Sequence, residues 1–140
     1  MIVVARDGDR IVGASTGAPM ADHADDFAAA FADRPEPLAQ IFYCAESVLL
    51  PDWRGQGLGH RFFDARESHA RNLGFHYSAF CSVERAGDHP ARPADYQPLD
   101  TFWRKRGYAP LPGVKAAFSW KDIGQTAASD KLLQFWMRVL

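Results

Sequence analysis

One stretch constrains this chain more than any other: an apolar strand that runs into a glycine turn and then into an amphipathic helix. Gln40–Leu50 (QIFYCAESVLL) is rich in β-forming residues and almost continuously apolar, with Glu46 and Ser47 as its exceptions. Strands of that kind are buried on both faces, as in the middle of a sheet. Pro51-Asp52 stops it, and Trp53-Arg54-Gly55-Gln56-Gly57-Leu58-Gly59-His60 follows. Beyond the turn, Leu58, Phe62, Ala65, His69 and Leu73 recur at the spacing of one helix face. Gly74 is well placed to terminate that helix. Phe75–Val83 (FHYSAFCSV) reads as the next strand. Strand, turn, helix and strand in this order make a βαβ unit with parallel strands, so an α/β (α+β) fold is expected.

The flanks supply the rest of a sheet. Ile2–Arg6 and Arg10–Ser15 surround Asp7-Gly8, a strong hairpin signal. Thr16–His23 is loop-like. Asp25–Ala32 reads as a helix capped by Asp22 or Asp25, with Phe27 and Phe31 on one face, and Pro35 and Pro37 end it. Glu84–Gln97, with Pro90 and Pro93, reads as a long ordered loop, and loops of that length often carry function. Pro98 opens a short helix, Leu99–Arg106, that Gly107 closes. Val114–Trp120 and Lys131–Leu140 are two more strands. The last alternates Leu133, Phe135, Met137 and Val139 against Gln134, Trp136 and Arg138. The 140 residues show no repeat, and a single domain over 1–140 is expected.

Composition excludes several classes. Sixteen basic and 17 acidic residues leave a net charge of −1, which argues against nucleic acid as a partner. No apolar run approaches the length of a membrane span, and Met1–Ala5 is too short for a signal peptide. Cys44 and Cys81 are too few for a disulfide framework, and a cytoplasmic location is expected. They fall on adjacent strands as buried free thiols. No His or Cys spacing fits a zinc site, so no metal is expected.

Glycines between a buried strand and a helix let the backbone turn tightly and present N–H groups to an anion, and the helix N-terminus adds partial positive charge. A plain connecting turn is the alternative. A nucleotide P-loop requires G-x-x-x-x-G-K-[ST], and no Lys-Ser/Thr pair follows here. A dinucleotide fingerprint requires G-x-G-x-x-G. From Gly55 its last position is His60, and from Gly57 it is Phe62. Both fail.

Arg54-x-x-Gly57-x-Gly59 resembles the [QR]-x-x-G-x-[GA] acetyl-CoA motif of the GNAT N-acetyltransferase superfamily. The apolar strand ending in Val48-Leu49-Leu50-Pro51 matches its context. Phe102-Trp103-Arg104-Lys105-Arg106-Gly107-Tyr108 resembles the second signature of the family, an aromatic helix ending in Gly-Phe or Gly-Tyr. The resemblance implies a mixed central sheet with splayed parallel strands and acetyl-CoA as co-substrate. It puts the pyrophosphate on the N–H groups of Gly55, Gln56, Gly57, Leu58, Gly59 and His60, with Arg54 nearby. It lays the pantetheine arm along the open strand edge at Ser47, Val48 and Leu49 like an added strand. A backbone N–H near Leu49 would meet the oxyanion.

Two departures matter. The strand and two helices that open such domains are absent before the first hairpin, so the acceptor wall falls to the insert Ala21–Ala39, to a second subunit, or to residues outside this chain. Many members carry Tyr where this chain has Trp103, and an indole supplies only an N–H donor. The general acid therefore does not transfer, and Tyr108 is expected in the core.

Acyl transfer to an amine requires a base, oxyanion stabilisation and a proton for the leaving thiolate. Glu46 is the expected base. It is the ionisable residue of an apolar strand, where burial raises a carboxyl pKa toward neutrality, and relatives carry a carboxylate at this distance before the motif. A surface or salt-bridged carboxylate is the alternative. Past the second parallel strand, where open sheets bind ligands, Arg92 and Tyr96 are the expected acceptor-binding residues, with Glu84, Arg85 and His89 beside them. His89 is a candidate proton relay. His69 is expected to be a core histidine, and Trp136 either packs in the sheet or makes a homodimer contact. The reading is an N-acetyltransferase acting on an unidentified amine; the rival is an acyl-CoA-binding or regulatory domain without catalysis.

Overall fold

The computed structural model describes residues 1–140. Six strands form one sheet: β1 (Ile2–Asp7), β2 (Arg10–Pro19), β3 (Ile41–Leu49), β4 (Tyr77–Val83), β5 (Ala109–Trp120) and β6 (Ser129–Val139), in the order β1-β2-β3-β4-β6-β5. β3 and β4 are parallel, and every other neighbouring pair is antiparallel. The helices are α1 (Ala24–Phe27), α2 (Leu58–Asn72) and α3 (Asp100–Lys105).

Side-chain alternation divides the core between the two faces. Phe42, Cys44, Phe80 and Trp136 meet Phe63 and Ala70 of α2 and Tyr108. Ile41, Ala79, Phe135 and Met137 meet Met20, Phe27 and Phe31 of the segment that follows β2. That segment therefore covers the face opposite α2. Both faces of β6 are covered, Phe135 and Met137 by the segment after β2 and Trp136 on the α2 side, so all three are buried despite the one-sided alternation expected for it.

Several boundaries differ from the expectations. Thr16–Pro19 is not loop but the continuation of β2, paired to β3 through Gly17–Cys44, Ala18–Tyr43 and Pro19–Phe42. A Cβ at Gly17 would lie 2.5 Å from the Phe42 ring, so glycine permits that approach. The helix expected over Asp25–Ala32 is only Ala24–Phe27, and neither Asp22 nor Asp25 caps it; His23 is the N-cap, without a side-chain bond. Packing overrides propensity there. Phe27 and Phe31 set their rings edge-on to Phe135 at 5.1 and 4.9 Å, and turns serve that contact as well as helix does. β5 starts at Ala109 rather than Val114, through an irregularity between Pro110 and Lys115 that includes Gly113 at φ +75°.

The buried face of α2 is rotated from the expected stripe. Phe62, Phe63, Arg66, Glu67 and Ala70 are buried, while Leu73 is exposed. Two charged residues take core positions because each finds polar partners there, described below.

Candidate active site

β3 and β4 pair only from Ile41–Tyr77 to Tyr43–Ala79. Beyond that point β3 follows β2 and β4 follows β6, so the parallel strands part and the β4-facing edge of β3 has no strand partner. A bulge coincides with the parting. Ser15 pairs with Ser47 and Gly17 with Cys44, so Thr16 alone stands opposite Ala45 and Glu46. The Glu46 N–H donates to Thr16 Oγ1 at 3.1 Å, and Arg66 Nη1 donates to the carbonyls of Thr16 (3.2 Å) and Glu46 (3.3 Å).

The second half of β3 corrects a sequence expectation. Its first residues are buried, but Glu46, Ser47 and Val48 are exposed, Val48 by 62%. The low-dielectric surroundings expected around Glu46 are absent, because the splay leaves this half of the strand facing open space. Tyr43 and Cys81 lie beside it, with Tyr43 Oη 3.3 Å from Cys81 Sγ. Burial chiefly, then Cys81, then the Glu46 carboxylate push the Tyr43 phenol up from its ordinary range. Cys81 is raised by burial and by Glu46, against the lowering effect of its Tyr43 hydrogen bond.

The glycine turn lies where β3 leads into α2. Gly55 and Gly57 have φ of +72° and +79°, which L side chains rarely adopt, and nothing lies within 4 Å of a Cβ built on either. Gly57 is the N-cap of α2 and gives it no side-chain cap. None of the backbone N–H groups from Gly55 to His60 donates to a protein acceptor. A Cβ at Gly59 would meet the Phe102 ring at 3.5 Å, an ordinary contact, so packing does not itself require glycine there. Arg54 Nε donates to the Leu49 carbonyl at 3.3 Å, which ties the turn to the free edge of β3. Gln56 Nε2 donates to Asp52 O at 2.8 Å. His60 is held by Arg106, whose Nη1 lies 3.2 Å from Nδ1 and donates to the His60 carbonyl at 3.3 Å.

Changing Gly57 to Ala isolates the backbone requirement, because the added methyl meets no protein atom. We expect a loss of about 1–2 kcal/mol from the left-handed conformation. Chemical denaturation measures it; an unchanged midpoint means that the turn relaxes.

The expected acceptor residues Arg92 and Tyr96 meet in a second place. With Glu84, Arg85 and His89 they line a cleft of about 950 Å³ between the 84–98 loop, the start of α3 and the β5–β6 hairpin. The Arg92 guanidinium stacks 5.0 Å over the Tyr96 ring and donates to the Gly87 carbonyl at 2.8 Å. Glu46 does not line this cleft. One wall is fixed by Arg85, which donates to both carboxylate oxygens of Asp122 at 2.9 and 2.7 Å. That double donation, helped by Trp120 Nε1, holds the Asp122 carboxyl well below its usual range. A carboxylate with a lowered native pKa contributes stability that is fully present above the ordinary Asp value of about 3.9 and lost only as pH falls through the native value. Carbon NMR of the Asp122 carboxyl should accordingly show no titration between pH 7 and about 3; a midpoint near the ordinary value of about 3.9 would mean that the pair is open in solution.

Trp103 lies 4.9 Å from Phe80 and 5.1 Å from Trp136, centroid to centroid, so it packs, half-buried, against the core on the α2 face. Tyr108 is buried as expected. Its hydroxyl lies 2.7 Å from Ser78 Oγ and donates to Glu67 at 3.1 Å. Both cysteines are free. No group of His, Cys, Asp and Glu is arranged to hold a metal.

Sequence reasoning passed over Arg66, Thr16 and Tyr43. A helix pattern assigns an arginine to the solvent face, and neither the bulge nor the place of Tyr43 at the splay is visible without the pairing register.

Residues 1–94 match the model of the acetyltransferase (GNAT) family. No curated protein sequence matches significantly. The fold is similar to that of the ribosomal-protein-alanine N-acetyltransferase of Brucella melitensis, at TM-score 0.59 and 17% identity over 99% of this chain and 68% of that one. It is similar to the Drosophila melanogaster polyamine N-acetyltransferase, which forms N-acetylagmatine, at TM-score 0.59 and 14% identity over 99% and 74%. It is also similar to a Bacillus anthracis protein described as a streptothricin acetyltransferase, in complex with acetyl coenzyme A, at TM-score 0.59 and 13% identity over 99% and 61%. At these identities the likeness is one of fold.

Proposed function

This chain belongs to the acetyltransferase (GNAT) family, and on that premise we propose that it transfers an acetyl group from acetyl-CoA to an amine by direct attack on the thioester. The observation that carries the reading is the meeting of two features at one end of the sheet. The unpartnered N–H groups of Gly55–His60 stand beside the unpaired edge of β3 at Ser47–Leu49. The first suits a pyrophosphate; the second suits an extended amide-bearing arm that adds as a strand. Acetyl-CoA brings the activated acyl carbon, and the chain supplies the rest. The β3 edge orients the arm, and a backbone N–H near Leu49 meets the carbonyl oxygen as charge develops on it.

Glu46 takes the proton that the attacking nitrogen loses as the new C–N bond forms and the C–S bond breaks. Solvent exposure at the splay gives an amine access to it. The departing thiolate takes a proton from solvent. Arg92 and Tyr96 bound the cleft in which the remainder of an acceptor would lie. The two free thiols suit a reducing compartment and hence a cytoplasmic reaction.

Release of CoA thiol that depends on added amine tests the reading, with a panel of small amines and peptides as acceptors. The packing of Trp103 against Phe80 and Trp136 favours a second reading, an acyl-CoA-binding domain without transfer. Calorimetric binding of acetyl-CoA with no amine-dependent thiol would select it, and no binding would sink both.

A further inference from the structure

We infer that Arg66 is a positioning residue for the transfer site, a buried cation that holds the β3 bulge in shape and thereby sets where Glu46 and the free strand edge stand. The inference rests on the reading of the site given above. Arg66 is 1% exposed, the largest of the fully buried side chains. It enters no ion pair, although the chain has eight. Its neighbour Glu67 pairs with Arg71, Arg106 and Arg138 instead. Arg66 Nε has no hydrogen-bond partner, and the Phe63 ring lies 4.5 Å from Cζ. A buried charge without a counter-ion is expensive, and an apolar side chain of similar volume fills such a place at lower cost. Core packing alone therefore does not account for an arginine here.

Its donors do. Nη1 bridges the carbonyls of Thr16 and Glu46, one on each strand, where the ladder between β2 and β3 skips a residue. A bulge interrupts the ladder and strands backbone groups that must find other partners. One charged donor answers both carbonyls, and the Thr16 hydroxyl accepts the Glu46 N–H from the other side. The extra residue is thus clamped in β3 from both strands. Without the clamp, the register is free to slip by one residue past the bulge, and a one-residue slip carries each side chain to the opposite face. Glu46 would turn from the splay toward α2, and the edge at Ser47–Leu49 would shift with it.

The test uses Arg66→Met and Arg66→Lys in the full chain without ligand, read by amide NMR and thermal denaturation and then by turnover. For Arg66→Met we expect a folded protein whose melting temperature is at or above that of the wild type. We also expect displaced amide resonances confined to Thr16 and Ala45–Leu49, and a kcat reduced about 10²-fold, the scale of an ångström's misplacement of a reacting group. Arg66→Lys keeps a charged donor and should recover part of both the resonances and kcat. Unmoved Ala45–Leu49 resonances with wild-type kcat would overturn the inference. So would failure of Arg66→Met to fold, which would assign the arginine to stability. The resonances are read without acetyl-CoA. If they move as expected while the wild type transfers no acetyl group, the clamp stands and the proposed reaction falls.

Discussion

Replacing Glu46 by Gln should lower amine-dependent acetyl transfer by about 10²- to 10⁴-fold, the usual contribution of a general base, while acetyl-CoA affinity should change little. The variant keeps the length and shape of the side chain but has no site for the proton. Its backbone bonds to Thr16 and Arg66 do not involve the carboxylate, so the bulge is preserved. Steady-state kinetics and calorimetry on the same preparation separate the two quantities. Because the carboxylate stands in the open at the end of the strand pairing, the loss should fall in kcat rather than in binding. A variant with wild-type kcat would make Glu46 a surface carboxylate and leave proton removal to solvent.

The second large effect is structural. Glu67→Ala destabilises the protein by about 3–5 kcal/mol, as expected when one partner is removed from a buried ionic cluster. Glu67 is 3% exposed and sits at the centre of that cluster. Its Oε1 lies 3.1 Å from Arg106 Nη2 and accepts from the Tyr108 hydroxyl at 3.1 Å, and its Oε2 accepts from Arg138 Nη1 at 3.2 Å. Arg138 also donates to the Arg106 carbonyl, where α3 ends. One carboxylate from α2 thus ties together the end of α3, the start of β5 and the end of β6. Without it, three guanidinium groups and a buried phenol each lose a partner. Only Arg106 keeps another carboxylate, Asp64 at 2.7 Å, and that one is largely exposed. In a chain of this size the melting temperature should fall by about 10 °C or more. Glu67→Gln, which keeps acceptor and volume but not charge, should lie between. A loss under about 1 kcal/mol for Glu67→Ala would mean that solvent reaches the cluster. The same cluster seats α2, whose N-terminus carries the glycine turn, so weaker acetyl-CoA binding should accompany the lost stability.

Much of the architecture could be read in the chain because it rests on local signals. The Asp7-Gly8 turn and the glycines after α2 and α3 mark boundaries through backbone sterics that hold whatever the distant contacts are. Gly8, Gly55, Gly57, Gly74 and Gly107 all adopt positive φ. The parallel β3–β4 pair follows from the strand–helix–strand order alone. The misreadings share a different cause. Thr16–Pro19 is strand because Gly17 admits the Phe42 ring, and α1 is one turn long because Phe27 and Phe31 are placed by Phe135. In each case a partner remote in sequence decides.

The same division runs through the site. The chain by itself determined the glycine turn between an apolar strand and a helix, since glycines there permit the left-handed backbone that the structure adopts at Gly55 and Gly57. It also determined that Glu46 is the carboxylate of β3. Only the tertiary structure decided where that carboxylate stands. The burial expected from an apolar strand assumes that both neighbours stay paired to its end. Here β3 parts from β4 after Tyr43, where the bulge opposite Thr16 is held by a charge drawn from the buried face of α2, and the second half of the strand opens to solvent. Alternation within a strand carries no information about where its neighbour leaves it, and that parting of β3 from β4 is what makes the site.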